Sequence, residues 1–285
     1  MTRSLALLLL LLLPAPARAQ DVAPVASGPF ALEYRFDRLA GKTALYSIEN
    51  DQCVAQEIKD EGGGEVRSWV RQTLEQRYEM GERGLGVVHV TTKRLEARLE
   101  QQGTTITFDS DKGGKAPGAF TALAKKVGVT VTLEVSRRGV VEKVRGVAPA
   151  ERGAWKTSFL ELPERPLEVG RGWERLDRQP MEPLGTLVYM FRYTLGAIVP
   201  AAGDAPVTRR IDATIRATLD DVLPSQRTAV ELTSQSGEGR LVLDEDGLVR
   251  ESLLESRLEL TVKAAAGTQI QRIKNRTAQV LLSIQ

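Results

Sequence analysis

Hydrophobic and polar residues alternate with a period of two along much of this chain. In the clearest segment, 211–219, the apolar positions are Ile211, Ala213, Ile215, Ala217 and Leu219. The same alternation occurs in 32–37 and in 258–263. Strands with one apolar and one polar face are typical of antiparallel sheets, since parallel strands are usually covered on both faces. The pattern therefore predicts a mainly β protein (β-rich α+β) built from long antiparallel meanders.

Turn and helix signals agree with this fold class. Gly139 and Gly247 each separate two strand-like runs, and glycine at such a position favours a tight hairpin turn. A short helix is predicted over Pro117–Val127, because proline suits a first helical turn, and another begins at about Pro149. We expect two related sheets or half-barrels with one or two short helices.

The first nineteen residues have the pattern of a signal peptide. Arg3 precedes the apolar run Leu5–Leu13, and Ala17 and Ala19 are small residues at the two positions that a signal peptidase reads. This run is too short for a membrane-spanning helix, which needs about 20 residues, although an N-terminal transmembrane stub is the alternative. We expect export to the periplasm or the medium, cleavage after Ala19, and no integral membrane segment afterwards.

Charge is balanced once this segment is removed. The chain has 39 lysines and arginines against 37 acidic residues, and Arg3 and Arg18 lie within residues 1–19, which leaves 37 of each sign. Basic and acidic residues are interleaved, whereas nucleic-acid-binding proteins cluster their positive charge. The sequence therefore argues against nucleic acid as a partner.

Few residues offer catalytic or metal chemistry. His89 is the one histidine and Cys53 the one cysteine, so neither a multi-histidine zinc site nor an intrachain disulfide can form. We interpret His89 as an ordinary strand side chain. Cys53 is interpreted as a buried or half-buried structural residue, with intermolecular pairing as the alternative.

The acidic clusters are equally weak as site candidates. Asp109 and Asp111 are spaced like the start of a calcium loop, but Phe120 occupies the closing position, so only an isolated calcium site stays open. The acidic run 244–246 is interpreted as a solvated hairpin tip. The sequence predicts no catalytic residue, no cofactor site and no metal site.

A segment rich in proline and glycine, 162–173, divides the chain into two similar halves. Each half has an aromatic first strand, a long alternating strand, a β-branched strand and a glycine hairpin, which indicates either a duplication or two ordinary meanders. Trp173 is expected to hold this joint by burying its ring, and a functional binding loop is the alternative interpretation of the segment. The predicted organisation is a signal peptide 1–19, a flexible segment 20–29, a first half 30–161, the joint 162–173 and a second half 174–285.

The order of several motifs resembles a known family. FDSD at 108–111, a short helical segment, the hairpin at Gly139 and the joint with Pro163, Pro166, Gly170 and Trp173 follow one another. This order is similar to that of exported bacterial β-rich proteins grouped as a domain of unknown function. The resemblance spans most of the chain after the signal peptide, and it implies an exported, strand-dominated protein without supplying catalytic residues.

These observations favour an exported, non-catalytic binding or scaffold protein of the cell envelope, with an envelope protein as its partner. The first alternative is a carrier of an apolar ligand or lipid in an open β-barrel cavity. The second is a hydrolase that uses an acidic pair assembled only by the fold. Candidate lining residues for a carrier, which core packing would also explain, are Tyr34, Phe36, Tyr189, Phe191 and Tyr193.

Overall fold

The computed structural model describes residues 28–58, 62–181, 185–201, 206–220, 230–264 and 267–285. Within these residues the strands form one 12-stranded antiparallel sheet, which confirms the mainly β fold. The strands are β1 Thr43–Ile58, β2 Gly62–Met80, β3 Gly86–Gln101, β4 Thr104–Asp109, β5 Thr130–Val135, β6 Val141–Arg145, β7 Gly172–Met181, β8 Gly185–Val199, β9 Thr208–Asp220, β10 Val230–Asp244, β11 Val249–Ala264 and β12 Gly267–Ile284. The predicted signal peptide and most of the flexible segment lie outside the described residues.

Helical structure is short and lies in the connections. The α-helices are α1 Phe36–Leu39, α2 Thr121–Ala124 and α3 Arg152–Trp155. The 3₁₀ turns are Glu82–Gly84, Ser110–Lys112, Gly118–Phe120 and Pro149–Glu151. Both predicted helices are present, but each is only a 3₁₀ turn followed by one α-helical turn. Among the described residues, no helix has the length and apolar character needed to cross a membrane.

The strand order is β6-β5-β3-β2-β1-β12-β11-β10-β9-β8-β7, and β4 also pairs with β3. Strands β1–β6 and β7–β12 therefore meet at the centre of the sheet, where β1 pairs with β12. The strands of both predicted halves lie in one continuous sheet rather than in two. The internal duplication and the domain boundaries stay predictions.

The connection between β6 and β7 runs from one edge strand of the sheet to the other. Within it, Leu162 N donates to Arg138 O at 2.7 Å, and Gly170 N donates to Leu195 O at 2.7 Å. Leu162 is fully buried against the sheet, and the stretch around it forms no strand, as its prolines predict. The connection thus packs across one face of the sheet and covers the main hydrophobic core.

Segment 32–37 corrects one sequence-based expectation. Its alternation predicts a strand, but residues 32–35 form none and Phe36 begins α1. Tyr34 N donates to Arg137 O at 2.8 Å and Arg35 N donates to Asp246 O at 2.9 Å, so the segment bridges the tips of two hairpins. The alternation did predict the buried face, because Tyr34 and Phe36 are in the core.

The hairpin tip at 244–246 is not fully solvated, contrary to expectation. Asp244 is only 3% exposed. Its Oδ1 accepts from Asp246 N at 3.0 Å and Leu248 N at 2.9 Å, and Arg250 Nε donates to its Oδ2 at 3.0 Å. Burial raises the pKa of Asp244, while Leu248 and Arg250 oppose that shift. The bridging segment covers this tip and leaves Glu245 exposed.

Candidate functional site

One face of the sheet carries a cavity of about 210 Å³. Side chains of β2 and β8 both line it, although β1, β12, β11, β10 and β9 lie between these strands in the sheet. The sheet therefore curves around the cavity, and we call the cavity side its concave face. Residues 157–160 of the edge-to-edge connection complete the wall.

A row of aromatic rings forms one wall of this concave face. Tyr189, Phe191 and Tyr193 occupy alternate positions of β8, so their side chains project to the same side. The ring centroids of Tyr189 and Phe191 are 6.3 Å apart, and those of Phe191 and Tyr193 are 6.0 Å apart. Trp173 on β7 extends the row, with its ring stacked 5.1 Å from Tyr193. Such spacing is favourable for aromatic pairs and gives a continuous apolar wall.

Three tyrosines form the closed end of the cavity. Tyr34 Oη donates to Leu160 O at 3.2 Å, and Tyr78 Oη donates to Gln76 Oε1 at 2.6 Å. Burial raises the pKa of Tyr34, Tyr46 and Tyr78 well above the ordinary value. These side chains are therefore neutral near neutral pH, and the closed end carries hydroxyl groups without charge.

Charge in the cavity is confined to the edge strand β7. Among the described residues, Arg175 and Asp177 are the only charged side chains in the lining. Arg175 Nη1 donates to Phe159 O at 3.1 Å. Because the lining contains one carboxylate, it does not provide the acidic pair that a hydrolase of the predicted kind would need.

The predicted lining residues divide into three groups. Tyr34, Phe191 and Tyr193 line the cavity. Phe36 instead lies 1% exposed in the core. Tyr189 packs farther along the concave face, against a second apolar cluster formed by Leu187, Ala217 and Leu258.

His89 and Cys53 lie outside the cavity lining. His89 is a strand residue of β3, as predicted, with Nδ1 3.1 Å from Thr132 Oγ1 and Nε2 3.4 Å from Glu79 Oε2. Cys53 is half-buried on β1, and burial together with the Glu65 carboxylate raises its pKa. A raised thiol pKa leaves little reactive thiolate, which fits the structural role predicted for Cys53.

The carboxylates considered for calcium are already paired. Arg94 Nη2 lies 2.9 Å from Asp109 Oδ2, and Arg94 Nε lies 3.2 Å from Asp111 Oδ2. Asp109 Oδ1 also accepts from Asp111 N at 3.1 Å, which caps the following 3₁₀ turn. This geometry favours a turn cap over an isolated calcium site. In the described part of the chain, no cluster of three or more metal-binding side chains is present.

A polar surface next to the cavity was not predicted from the sequence. It lies on the concave face of β2, β1, β12 and β11, and we call it the amide floor: Ser68, Gln72, Asn50, Gln52, Asn275, Thr277, Gln279 and Ser256. Thr277 and Gln279 line the cavity, and strand pairing places Asn50 opposite Thr277 and Gln52 opposite Asn275. One sequence signal marks this surface, namely the alternation of charged with uncharged polar residues in 49–52.

Comparisons with known proteins identify a shared fold and no family. Neither a protein-family model nor a curated protein matches this chain. A solved structure described as showing lipid-protein interactions in lipovitellin matches with a TM-score of 0.53 and 11% identity, over 86% of this chain and 25% of that chain. The chain thus spans a quarter of the lipovitellin chain, and the likeness concerns the fold.

Two further structures match with much lower scores. One is MucB in complex with MucA(peri), with a TM-score of 0.15 and 9% identity, over 85% of this chain and 90% of that chain. The other is the Pseudomonas aeruginosa MucA/MucB complex, with a TM-score of 0.15 and 11% identity, over 88% and 96% of the two chains. These scores are too low to indicate a shared fold.

Proposed function

We propose that this protein is an exported, non-catalytic binding protein of the cell envelope that carries an apolar ligand on the concave face of its sheet. The observation that carries the proposal is the cavity with its aromatic wall. Phe191 and Tyr193 present their rings to it, and the row continues through Tyr189 toward the second apolar cluster. A hydrocarbon chain that lies along this row would replace the water on its own surface and on the aromatic rings by apolar contacts.

The expected energetics suit a lipid chain. Each buried methylene contributes about 0.8 kcal/mol, so about six of them would contribute ~5 kcal/mol before the cost of immobilising the chain. The closed end is made of neutral tyrosines, and the charged residues Arg175 and Asp177 lie together on the edge strand β7. These two opposite charges border the aromatic row on its β7 side, where strand pairing places Arg175 opposite Phe191 and Asp177 opposite Tyr189.

The fold comparison supports the same ligand class. The lipovitellin structure that shares this fold is described by its lipid-protein interactions. The cavity favours the carrier interpretation over a scaffold that only contacts another envelope protein, since a scaffold needs no such cavity. The absence of an acidic pair from the described lining supports a non-catalytic role.

The proposal is tested by the occupancy of the purified protein. Native mass spectrometry and solvent extraction of protein from the exported fraction should reveal a bound lipid-sized molecule. The delipidated protein should bind N-phenyl-1-naphthylamine, an uncharged apolar dye. A clean apo mass together with no dye binding would show that the proposed function is wrong.

Neighbouring residues of β11 offer a matched pair of variants. Leu254 lines the cavity, whereas Leu253 lies on the opposite face and is 38% exposed. Leu254→Trp fills part of the cavity and should weaken dye binding by about tenfold or more, equivalent to one or two buried side-chain contacts. Leu253→Trp should bind as the wild type does. Thermal unfolding of both variants checks that each is folded, and Phe191→Ala provides a second test of the same wall.

A further inference from the structure

The amide floor is a surface of hydrogen-bonding groups without charge. Its members lie at alternate positions of four neighbouring strands, so they form one patch beside the cavity. Gln52 lies opposite both Asn275 on β12 and Ser68 on β2, and Asn275 lies opposite Ser256 on β11. Asn50 is exposed and these four are half-buried, so the patch is accessible to a ligand.

The side-chain amides of this floor are available to a ligand. Within the described residues, Asn50, Gln52, Gln72, Asn275 and Gln279 make no side-chain hydrogen bond to another protein group. An amide group offers two donors and one acceptor oxygen. The floor can therefore donate to and accept from a neutral polar group that lies along it.

The opposite face of the same strands carries the charge. Arg67 Nη2 lies 2.6 Å from Asp51 Oδ2, and Arg71 Nη2 lies 2.8 Å from Glu49 Oε2. These strands thus alternate between uncharged polar and charged residues. Charged residues on both faces would also keep these strands hydrated. Because charge is restricted to the outer face, the uncharged polar groups of the concave face need an explanation other than hydration.

We infer that the ligand is an uncharged amphiphile, with a hydrocarbon chain along the aromatic row and a head group of hydroxyl, ester or amide groups on the amide floor. The inference rests on the proposed function and adds the chemistry of the head group. A phosphate or carboxylate on this floor would lose hydration without gaining a cation, which is unfavourable. The Arg175 guanidinium keeps its charge when it donates to Phe159 O, but the Asp177 carboxylate lines the same cavity two residues along β7, so the described lining carries no net positive charge for an anion.

Three probes with the same oleoyl chain test the head group. Monooleoylglycerol is neutral, whereas oleate and oleoyl lysophosphatidic acid are anionic at neutral pH. Each probe is used to displace N-phenyl-1-naphthylamine from the delipidated protein. Monooleoylglycerol should displace the dye at a free concentration about tenfold lower than that needed for either anion. Equal or tighter competition by an anion would overturn the inference but leave the proposed function in place. Competition by none of the three would contradict both.

A pair of variants tests whether the amide floor makes the contact. The double variant Gln52→Leu/Asn275→Leu removes two opposed amides, and Lys274→Leu is its control on the outer face. The double variant should weaken monooleoylglycerol binding by about tenfold, since a single hydrogen bond contributes about 2- to 10-fold, and should leave dye binding unchanged. The control should change neither. Equal losses for dye and lipid would show a merely structural role, and unchanged lipid binding would show that the head group lies elsewhere; either result overturns the inference.

Discussion

Replacing Trp173 by alanine tests how the edge-to-edge connection is held to the sheet. The indole is half-buried against the main core, its ring stacks on Tyr193, and its Nε1 donates to Glu161 O at 2.8 Å. Trp173 is the second residue of β7, while Glu161 belongs to the connection. This side chain therefore joins the edge strand to the segment that packs across the concave face.

The magnitude of the loss follows from these contacts. A fully buried tryptophan removes about 150–250 Å² of surface from water. Because Trp173 is half-buried, its replacement loses roughly half of that buried area, which costs ~2.5 kcal/mol at about 25 cal/mol per Å². The ring stacking and the hydrogen bond each contribute about 1 kcal/mol. The free energy of unfolding of Trp173→Ala should therefore fall by about 4 kcal/mol, a large part of the roughly 5–15 kcal/mol typical of folded proteins.

Urea unfolding, followed by circular dichroism and analysed by linear extrapolation, measures this change. Trp173→Phe keeps the ring stacking and should lose only about 1–2 kcal/mol. Trp69→Ala is the matched control, because Trp69 lies on the outer face of the sheet. The Arg71 guanidinium carbon lies over the Trp69 ring, 5.0 Å from its centroid, and the Trp69→Ala variant should lose about 1–2 kcal/mol. A loss below about 1 kcal/mol for Trp173→Ala would refute the reasoning and return the joint to consideration as a binding loop.

Two further predictions concern the hairpin glycines and the tyrosines. Gly139→Ala should destabilise the fold by about 2–3 kcal/mol, because φ is +81° and a Cβ would meet Leu160 O and the Tyr34 ring. Its control is Gly113→Ala, where φ is +69° and the space is open, and this variant should lose only about 1 kcal/mol in the same urea assay. Equal losses for the two variants would contradict the packing argument. Burial raises the pKa of all five tyrosines, that of Tyr193 to about 12, so their contribution to stability is complete below pH 10.0 and is lost as the pH rises through the folded-state values. Tyrosinate absorbance should therefore be small at pH 10.0 in native protein and substantial in urea, and a normal native titration would count against this assignment.

Period-two alternation predicted faces well and strand partners poorly. In 211–219 the predicted apolar face is the concave face of β9, and Ile211, Ala213, Ile215 and Ala217 are buried there. Segment 32–37 has the same alternation and also buries its apolar face, yet it crosses two hairpin tips instead of pairing as a strand. Alternation records which side of an extended chain is covered, while the hydrogen-bond partner is set by the tertiary arrangement.

The candidate site was only partly predictable for a related reason. Phe191 and Tyr193 could be proposed as lining residues because aromatic side chains at strand spacing share a face. Their partners on β1, β2, β11 and β12 are distant in sequence and meet only through the strand order. Asn50 and Gln52 were missed because a hydropathy pattern treats them like the neighbouring Glu49 and Asp51, although an amide and a carboxylate differ by a full charge.

The pairing of β1 with β12 has a consequence for how the chain folds. The centre of the sheet joins residues such as Ala44 and Ile284, which lie at opposite ends of the described sequence. Neither group of strands can complete the central ladder until the last strand is synthesised, so the curved sheet cannot close while the chain is still emerging. Such distant contacts slow folding. The export proposed above requires a chain that is still unfolded during translocation, and late closure of this sheet suits that requirement.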